Sequence, residues 1–229
     1  MTDNSNTEFE LILLGATGFT GALVAEYLLE RYGSDGELRW ALAGRSEARL
    51  AALREQLQTG REEAPLPLIV ADNHDRASLD ALVARSAVVC STVGPYSLHG
   101  TELVAACAAA GTDYCDLTGE VPWIADSIAA HQETAEASGA RIVHCCGFDS
   151  IPSDLGTWFV QQAMHARHGV YAGRVRGRVG RTRGGASGGT VASLLAVMEQ
   201  ASADPALRRR LRDKYLLYPA GEAPGPRRR

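Results

Sequence analysis

Phe9-Glu10-Leu11-Ile12-Leu13-Leu14 runs directly into Gly15-Ala16-Thr17-Gly18-Phe19-Thr20-Gly21, and Leu23, Val24, Tyr27 and Leu28 then recur at helical spacing as far as Gly33. An apolar run, a glycine-rich turn and an amphipathic repeat predict strand, turn and helix in that order. Working outward, residues 38–43 form a second apolar run that ends in Gly44-Arg45-Ser46. Ser46 fits the N-cap of a helix that carries Leu50, Leu53 and Leu57 on one face and is closed by Gly60. The unit is βαβ.

The alternation continues with a strand at 66–71, a helix carrying Leu79, Leu82 and Val83, and a strand at 87–93. A helix at 101–110 stopped by Gly111, a strand at 113–117, a helix at 123–138 and a strand at 141–146 follow. Six mostly continuous apolar strands separated by helices predict an α/β fold, a Rossmann-type doubly wound parallel sheet covered on both faces. Residues 1–150 make up this domain. A helix at 153–168 then gives way to residues 169–179, whose period of two suggests an exposed strand. Gly184-Gly185-Ala186-Ser187-Gly188-Gly189 leads into a helix through Val191, Leu194, Leu195 and Met198, and from Leu207 onward no apolar periodicity remains. Residues 151–229 therefore read as the start of an incomplete α+β second domain, and the chain as truncated.

The 229 residues are 45% apolar, enough for a buried core. No run of about 18 apolar residues exists, and the first ten residues are polar and acidic, so the expectation is a cytoplasmic protein, neither secreted nor membrane-spanning. Five cysteines lack a CxxC pair, and four of them fall in the expected buried strands, which reads as free core thiols. The net charge of −4 hides an asymmetry: residues 1–140 hold 8 basic against 21 acidic side chains, residues 141–229 hold 15 against 6. The basic half is expected to face an anionic surface, the acidic half being one candidate. No interleaving of aromatic and basic residues accompanies the arginines, which excludes nucleic acid as a partner.

In the turn at Gly15, the first glycine permits the tight bend, Gly18 lets the backbone approach a pyrophosphate, and Gly21 permits close packing of helix on strand. The amides at the helix start, from Ala16 through Thr20, then face the phosphates. A lone glycine pattern is weak evidence, but its place between a strand and an amphipathic helix is the context that supports a dinucleotide site. The end of the second strand selects the dinucleotide. An acidic residue there would accept bonds from a ribose 2′-hydroxyl, whereas Arg45 next to Ser46, with Arg49 a turn further on, matches a 2′-phosphate. The cofactor expected is NADP(H), the competing reading being that Arg45 merely pairs with a surface carboxylate.

Asp72, ending the third strand, has two readings: a hydrogen bond to the adenine amine, or a capping or solvated aspartate. Thr92-Val93-Gly94-Pro95-Tyr96 ends the fourth strand across the switch point, where the nicotinamide would rest. Gly94 allows close approach, Pro95 denies the loop an amide, and Tyr96 either flanks the nicotinamide or packs under the loop. Gly147-Phe148-Asp149-Ser150-Ile151-Pro152-Ser153-Asp154 reaches the same edge of the sheet, either for substrate contact or for capping of the next helix by Ser150 or Ser153. The glycines at 184–189, beside Arg181 and Arg183, read as an anion-binding nest or as an ordinary turn. No tyrosine is followed four residues later by lysine, which excludes the acid pair of short-chain dehydrogenases. His165 and His168 have no acidic or cysteine partner for a metal, so no metal and no catalytic side chain is assigned.

Taken together, the Gly15–Gly21 turn, Ala43-Gly44-Arg45, Thr92-Val93-Gly94-Pro95-Tyr96, Gly100, Tyr114-Cys115-Asp116-Leu117-Thr118-Gly119-Glu120, the Gly147–Asp154 segment and the run from Gly185 to Thr190 resemble the saccharopine dehydrogenase-like oxidoreductases. The likeness covers nearly the whole chain and is greatest to the trans-acting enoyl reductases. The first motif alone would also fit an NmrA-like redox sensor or an atypical short-chain reductase. The resemblance implies an NADPH-dependent oxidoreductase, with an α+β domain closing over a small-molecule or carrier-bound acyl substrate of lipid and glycolipid biosynthesis. It also implies a polyketide synthase partner, at most peripheral contact with the plasma membrane, and a full-length form compatible with a homodimer. Family members continue well beyond position 229, which puts the activity of this chain in question. The alternatives are a saccharopine-type amino-acid reductase and a non-catalytic NADP(H)-binding redox sensor.

Overall fold

The computed structural model describes residues 7–181, 183 and 188–219. Its sheet is built from β1 (Phe9–Leu14), β2 (Trp40–Gly44), β3 (Leu68–Val70), β4 (Ser86–Ser91), β5 (Asp113–Asp116) and β6 (Ile142–Val143). The strands lie in the order β3-β2-β1-β4-β5-β6 and every pairing is parallel. The order reverses between β1 and β4, so the crevice that such sheets use for ligands opens beyond Leu14 and Ser91, which stand in register.

The connecting helices are α1 (Phe19–Tyr32), α2 (Glu47–Gln58), α3 (Arg76–Val83), the single turn α4 (Tyr96–His99), α5 (Thr101–Ala110) and α6 (Val121–Ser138). Alternation along each strand sends neighbouring side chains to opposite faces. Ile12 and Leu14 accordingly join Leu79, Leu82, Leu103, Val104 and Tyr114 in one core, while Leu13 joins Leu29, Trp40, Leu42 and Leu50 in the other. Helix ends follow local chemistry: Ser46 accepts from Arg49 N at the start of α2, Asp75 from Ala77 N at α3, and Gly111 ends α5 in the left-handed region at φ 74°.

Past β6 the described chain forms α7 (Ile151–His168), α8 (Gly188–Ala203) and α9 (Pro205–Arg212). None of the three helices contains a buried residue, and Leu155, Trp158 and Phe159 of α7 are more than half exposed. Two expectations are corrected here. Residues 169–179 form no strand: among the described residues they have no neighbouring strand to pair with, and a lone alternating segment broken by glycines cannot satisfy its backbone. Apolar spacing also does not end at position 207: Leu207 and Leu211 recur four residues apart in α9, which Asp204 opens by capping the amide of Ala206, with Pro205 in the first turn. Residues 1–6, Gly184 to Ser187 of the glycine segment and the tail from 220 lie outside the described residues.

All five cysteines are free, as expected, but their burial is corrected. Only Cys107 is buried, and it belongs to α5; Cys90, Cys115 and Cys145 are half-buried and Cys146 is exposed. Some contacts do join the basic later part of the chain to the acidic earlier part. Arg141 clasps Asp113, with Nε 2.9 Å from Oδ2, and the Arg210 guanidinium meets Asp126.

Candidate active site

Beyond the carboxyl ends of β1, β2 and β4 lies a crevice of about 280 Å³. Its floor is the glycine turn. Gly15 has φ +88°, and a Cβ there would stand 2.7 Å from Val93 Cγ2. Gly21 is more constrained, since a Cβ would stand 2.1 Å from Gly15 O, so only glycine lets α1 pack this closely on the turn. Gly18 is the N-cap of α1 and makes no side-chain cap bond, which leaves first-turn amides for a ligand.

Gly15, Thr17, Gly18, Phe19, Thr20, Arg45, Val93 and Gly94, all expected at the site, line this crevice together with Arg49 and Asn73. Arg49 is oriented by a bond from Nη2 to Thr17 O of 3.2 Å. Among the described residues Arg45 has no ion-pair partner, unlike the surface-pair reading. The remaining expected residues do not line it. Ala16 is fully buried, Ser46 caps α2, and Pro95 is the N-cap of α4. Asp72 turns its Oδ1 onto His74 N at 3.0 Å, while Asn73, held by a 2.7 Å bond to His99 O, lines the crevice in its place.

Tyr96 packs under its loop. It is 4% exposed, its hydroxyl donates to Ser91 O at 3.0 Å, and its ring lies 5.7 Å from that of Trp123. Burial, followed by the field of Asp116, pushes this phenol far above its ordinary value, so it stays protonated. One edge of Tyr96 borders a second cavity of about 320 Å³, which shares Thr20, Thr92, Gly94 and Gly189 with the crevice. This cavity adds Thr118, Glu120, Asp149 and Ser193, bringing the loop after β6 and helix α8 to the same place. Ser150 is the N-cap of α7 but makes no side-chain cap bond, so Asp149 at the cavity, rather than a capping hydroxyl, is what that loop contributes.

Two buried carboxylates escaped the sequence reading as site residues. Glu120 accepts the amides of Tyr96 and Ser97 and the Ser193 hydroxyl. Asp116 accepts from Tyr114 Oη at 2.9 Å and lies 2.7 Å from His144 Nδ1, and it also bonds the amides of Thr118 and Cys145. A carboxylate inside an apolar strand was the available signal, because an unpaired one there is too costly to keep. Among the described residues no group of three or more metal-ligating side chains occurs.

The saccharopine dehydrogenase NADP-binding domain model matches residues 11–143, more than half of the chain. The chain belongs to that family. The family's cofactor is NADP(H), and the glycine floor, together with a first turn of α1 and an Arg45 that have no side-chain partner among the described residues, fits it. A putative trans-acting enoyl reductase of Mycobacterium tuberculosis is 48% identical over 93% of this chain and 49% of its own length. A trans-acting enoyl reductase of Mycobacterium ulcerans is 44% identical over 93% of this chain and 50% of its own. The chain thus spans about half the length of the curated relatives it matches. Apo saccharopine dehydrogenase (L-Glu forming) of Saccharomyces cerevisiae shares the fold, with a TM-score of 0.54 at 21% identity over 69% of this chain and 32% of that one. Among the described residues no helix is long and apolar enough to cross a membrane.

Proposed function

We propose that residues 1–150 form the NADP(H) domain of a trans-acting enoyl reductase and that residues 151–229 open its substrate domain. The observation that carries the reading is 44–48% identity, over 93% of the chain, to relatives bearing that name. The cofactor crevice, continuous with a second, mixed polar and apolar cavity, supports it.

In this reading Gly15, Gly18 and the first-turn amides of α1 seat the pyrophosphate, and Gly21 sets their position. Arg45 takes the 2′-phosphate with Arg49 beside it, and Ser46 fixes the helix that carries Arg49. Val93 and Gly94 support the nicotinamide, Pro95 and Tyr96 brace that loop, and Asp72 shapes the turn that presents Asn73. NADPH held there would supply hydride chemistry for an α,β-unsaturated thioester, whose β-carbon would take the hydride and whose α-carbon a proton drawn ultimately from solvent. The chain's own groups hold the thioester beside Thr118, Asp149 and Ser193 and keep water from it. A trans-acting enzyme meets its substrate on a separate carrier, and the partner in this reading is a synthase, of the polyketide type that the resemblance implies. The setting is cytoplasmic, with membrane contact confined to the surface.

The test is NADPH oxidation by the purified protein on addition of a 2-enoyl pantetheine thioester. The expected result is oxidation with NADPH and far less with NADH. Tight NADPH binding without oxidation by any enoyl thioester would leave a cofactor-binding sensor instead.

A further inference from the structure

Three cavities lie end to end along the carboxyl edge of the sheet. The cofactor crevice shares Thr20, Thr92, Gly94 and Gly189 with the second cavity, and the second shares Gly119, Glu120 and Val197 with a third. The third, of about 530 Å³, is bounded by Pro122 at the start of α6, Val197 of α8, and Leu211, Leu216, Leu217 and Tyr218 around the end of α9. Leu211, Leu217 and Tyr218 are 42%, 41% and 50% exposed, a concentration of apolar surface that water does not favour.

The wall is held in place rather than draped there. The Arg210 guanidinium reaches across from α9 to both oxygens of Asp126 and to Pro122 O at 2.9 Å, which fastens α9 to the first turns of α6. Tyr218 N bonds Tyr215 O at 2.9 Å, and the two rings meet edge to face, closing the turn that carries Leu216 and Leu217. Polarity changes along the path. Arginines and amides stand at the first cavity, hydroxyls and carboxylates at the second, and mostly aliphatic side chains at the third, with Asp213 and Lys214 among them.

We infer that the third cavity is the tail subsite for a medium- or long-chain acyl group, with Val197 at the neck between the thioester and the tail. The inference rests on the reductase reading for what occupies the head of the path. The volume lies within the roughly 300–1,000 Å³ of small-molecule pockets. Because Gly119, Glu120 and Val197 border both this cavity and the one beside the cofactor crevice, a chain attached at that point is the occupant that fits, entering head-anchored and burying its methylenes one after another.

The test compares butanoyl and decanoyl pantetheine thioesters by calorimetry on the purified chain saturated with NADP⁺. Decanoyl should bind at least about tenfold more tightly, since even two buried methylenes suffice for that factor. In Leu217→Trp, which fills the subsite, and in Leu217→Ser, which makes it polar, the decanoyl-to-butanoyl ratio should fall towards one. Position 217 is 41% exposed, so both variants are expected to fold, checked by circular dichroism. Equal affinities in the wild type, no thioester binding, or a ratio unchanged in both variants would overturn the inference. NADPH oxidation by butenoyl pantetheine is measured in parallel: its absence alongside a preserved chain-length ratio sinks the reductase reading alone.

Discussion

Glu120 Oε1 accepts the backbone amide of Tyr96 at 2.8 Å, across 24 residues of sequence. Its other oxygen takes Ser97 N at 2.9 Å, so one buried carboxylate caps α4 and fixes the loop that ends β4. Glu120→Ala leaves both amides without an acceptor. The expected cost is about 2–4 kcal/mol, read as a lowered denaturant midpoint, with Glu120→Gln recovering part of it.

Gly21→Ala places a Cβ 2.1 Å from Gly15 O, where the obstacle is backbone rather than a movable side chain. Either α1 backs away from the turn or the turn opens. Thermal unfolding should show a loss of about 2 kcal/mol or more, and NADPH affinity should fall with it. Full stability and unchanged NADPH binding in this variant would show that the turn does not seat the cofactor as described.

Asp116 is 2% exposed and satisfies a hydroxyl, an imidazole nitrogen and two amides from β5, β6 and their loops. Asp116→Ala is expected to cost about 3–5 kcal/mol, because four donors lose one acceptor at once. Tyr114→Phe removes a single bond to the same carboxylate and should cost about 1 kcal/mol. Near-equal effects of the two, measured by urea unfolding, would mean that Asp116 is not the hub.

Burial raises the Asp113 carboxyl, but the side-chain and backbone bonds from Arg141 outweigh it and hold it below its ordinary value. A depressed carboxyl stabilises the fold above its unfolded pKa of about 3.9, and that contribution is lost as pH falls through the lower folded value. The stability gap between wild type and Asp113→Asn should therefore be constant near neutrality and close below about pH 4. Arg141 is 79% exposed, so salt should shrink the gap as well.

Local chemistry made most of the sheet legible. The glycine turn, the Gly111 stop and the cap at Ser46 act through neighbours in sequence, and α5 was placed at its observed bounds of Thr101 and Ala110. What went unread depends on distant partners. Helix α4 is a single turn whose cap comes from Glu120, and Asp116 shows its purpose only once His144 is brought beside it. The alternation of 169–179 misled because a strand pattern without a second strand to pair with specifies nothing. Along the crevice, the place of Arg45 could be read from the strand it follows, whereas the fact that Asn73 rather than Asp72 lines the wall depends on the turn geometry around His74.

The central claim is that this crevice is built for NADP(H) with Arg45 as the reader of the 2′-phosphate. Fluorescence titration of the wild type and Arg45→Asp with NADPH and NADH tests it directly. A charge-assisted contact of about 1.5–3 kcal/mol predicts roughly 10- to 100-fold preference for NADPH in the wild type, selectively lost in the variant. Equal affinity of the wild type for both cofactors, or NADPH affinity untouched by Arg45→Asp, would contradict the account.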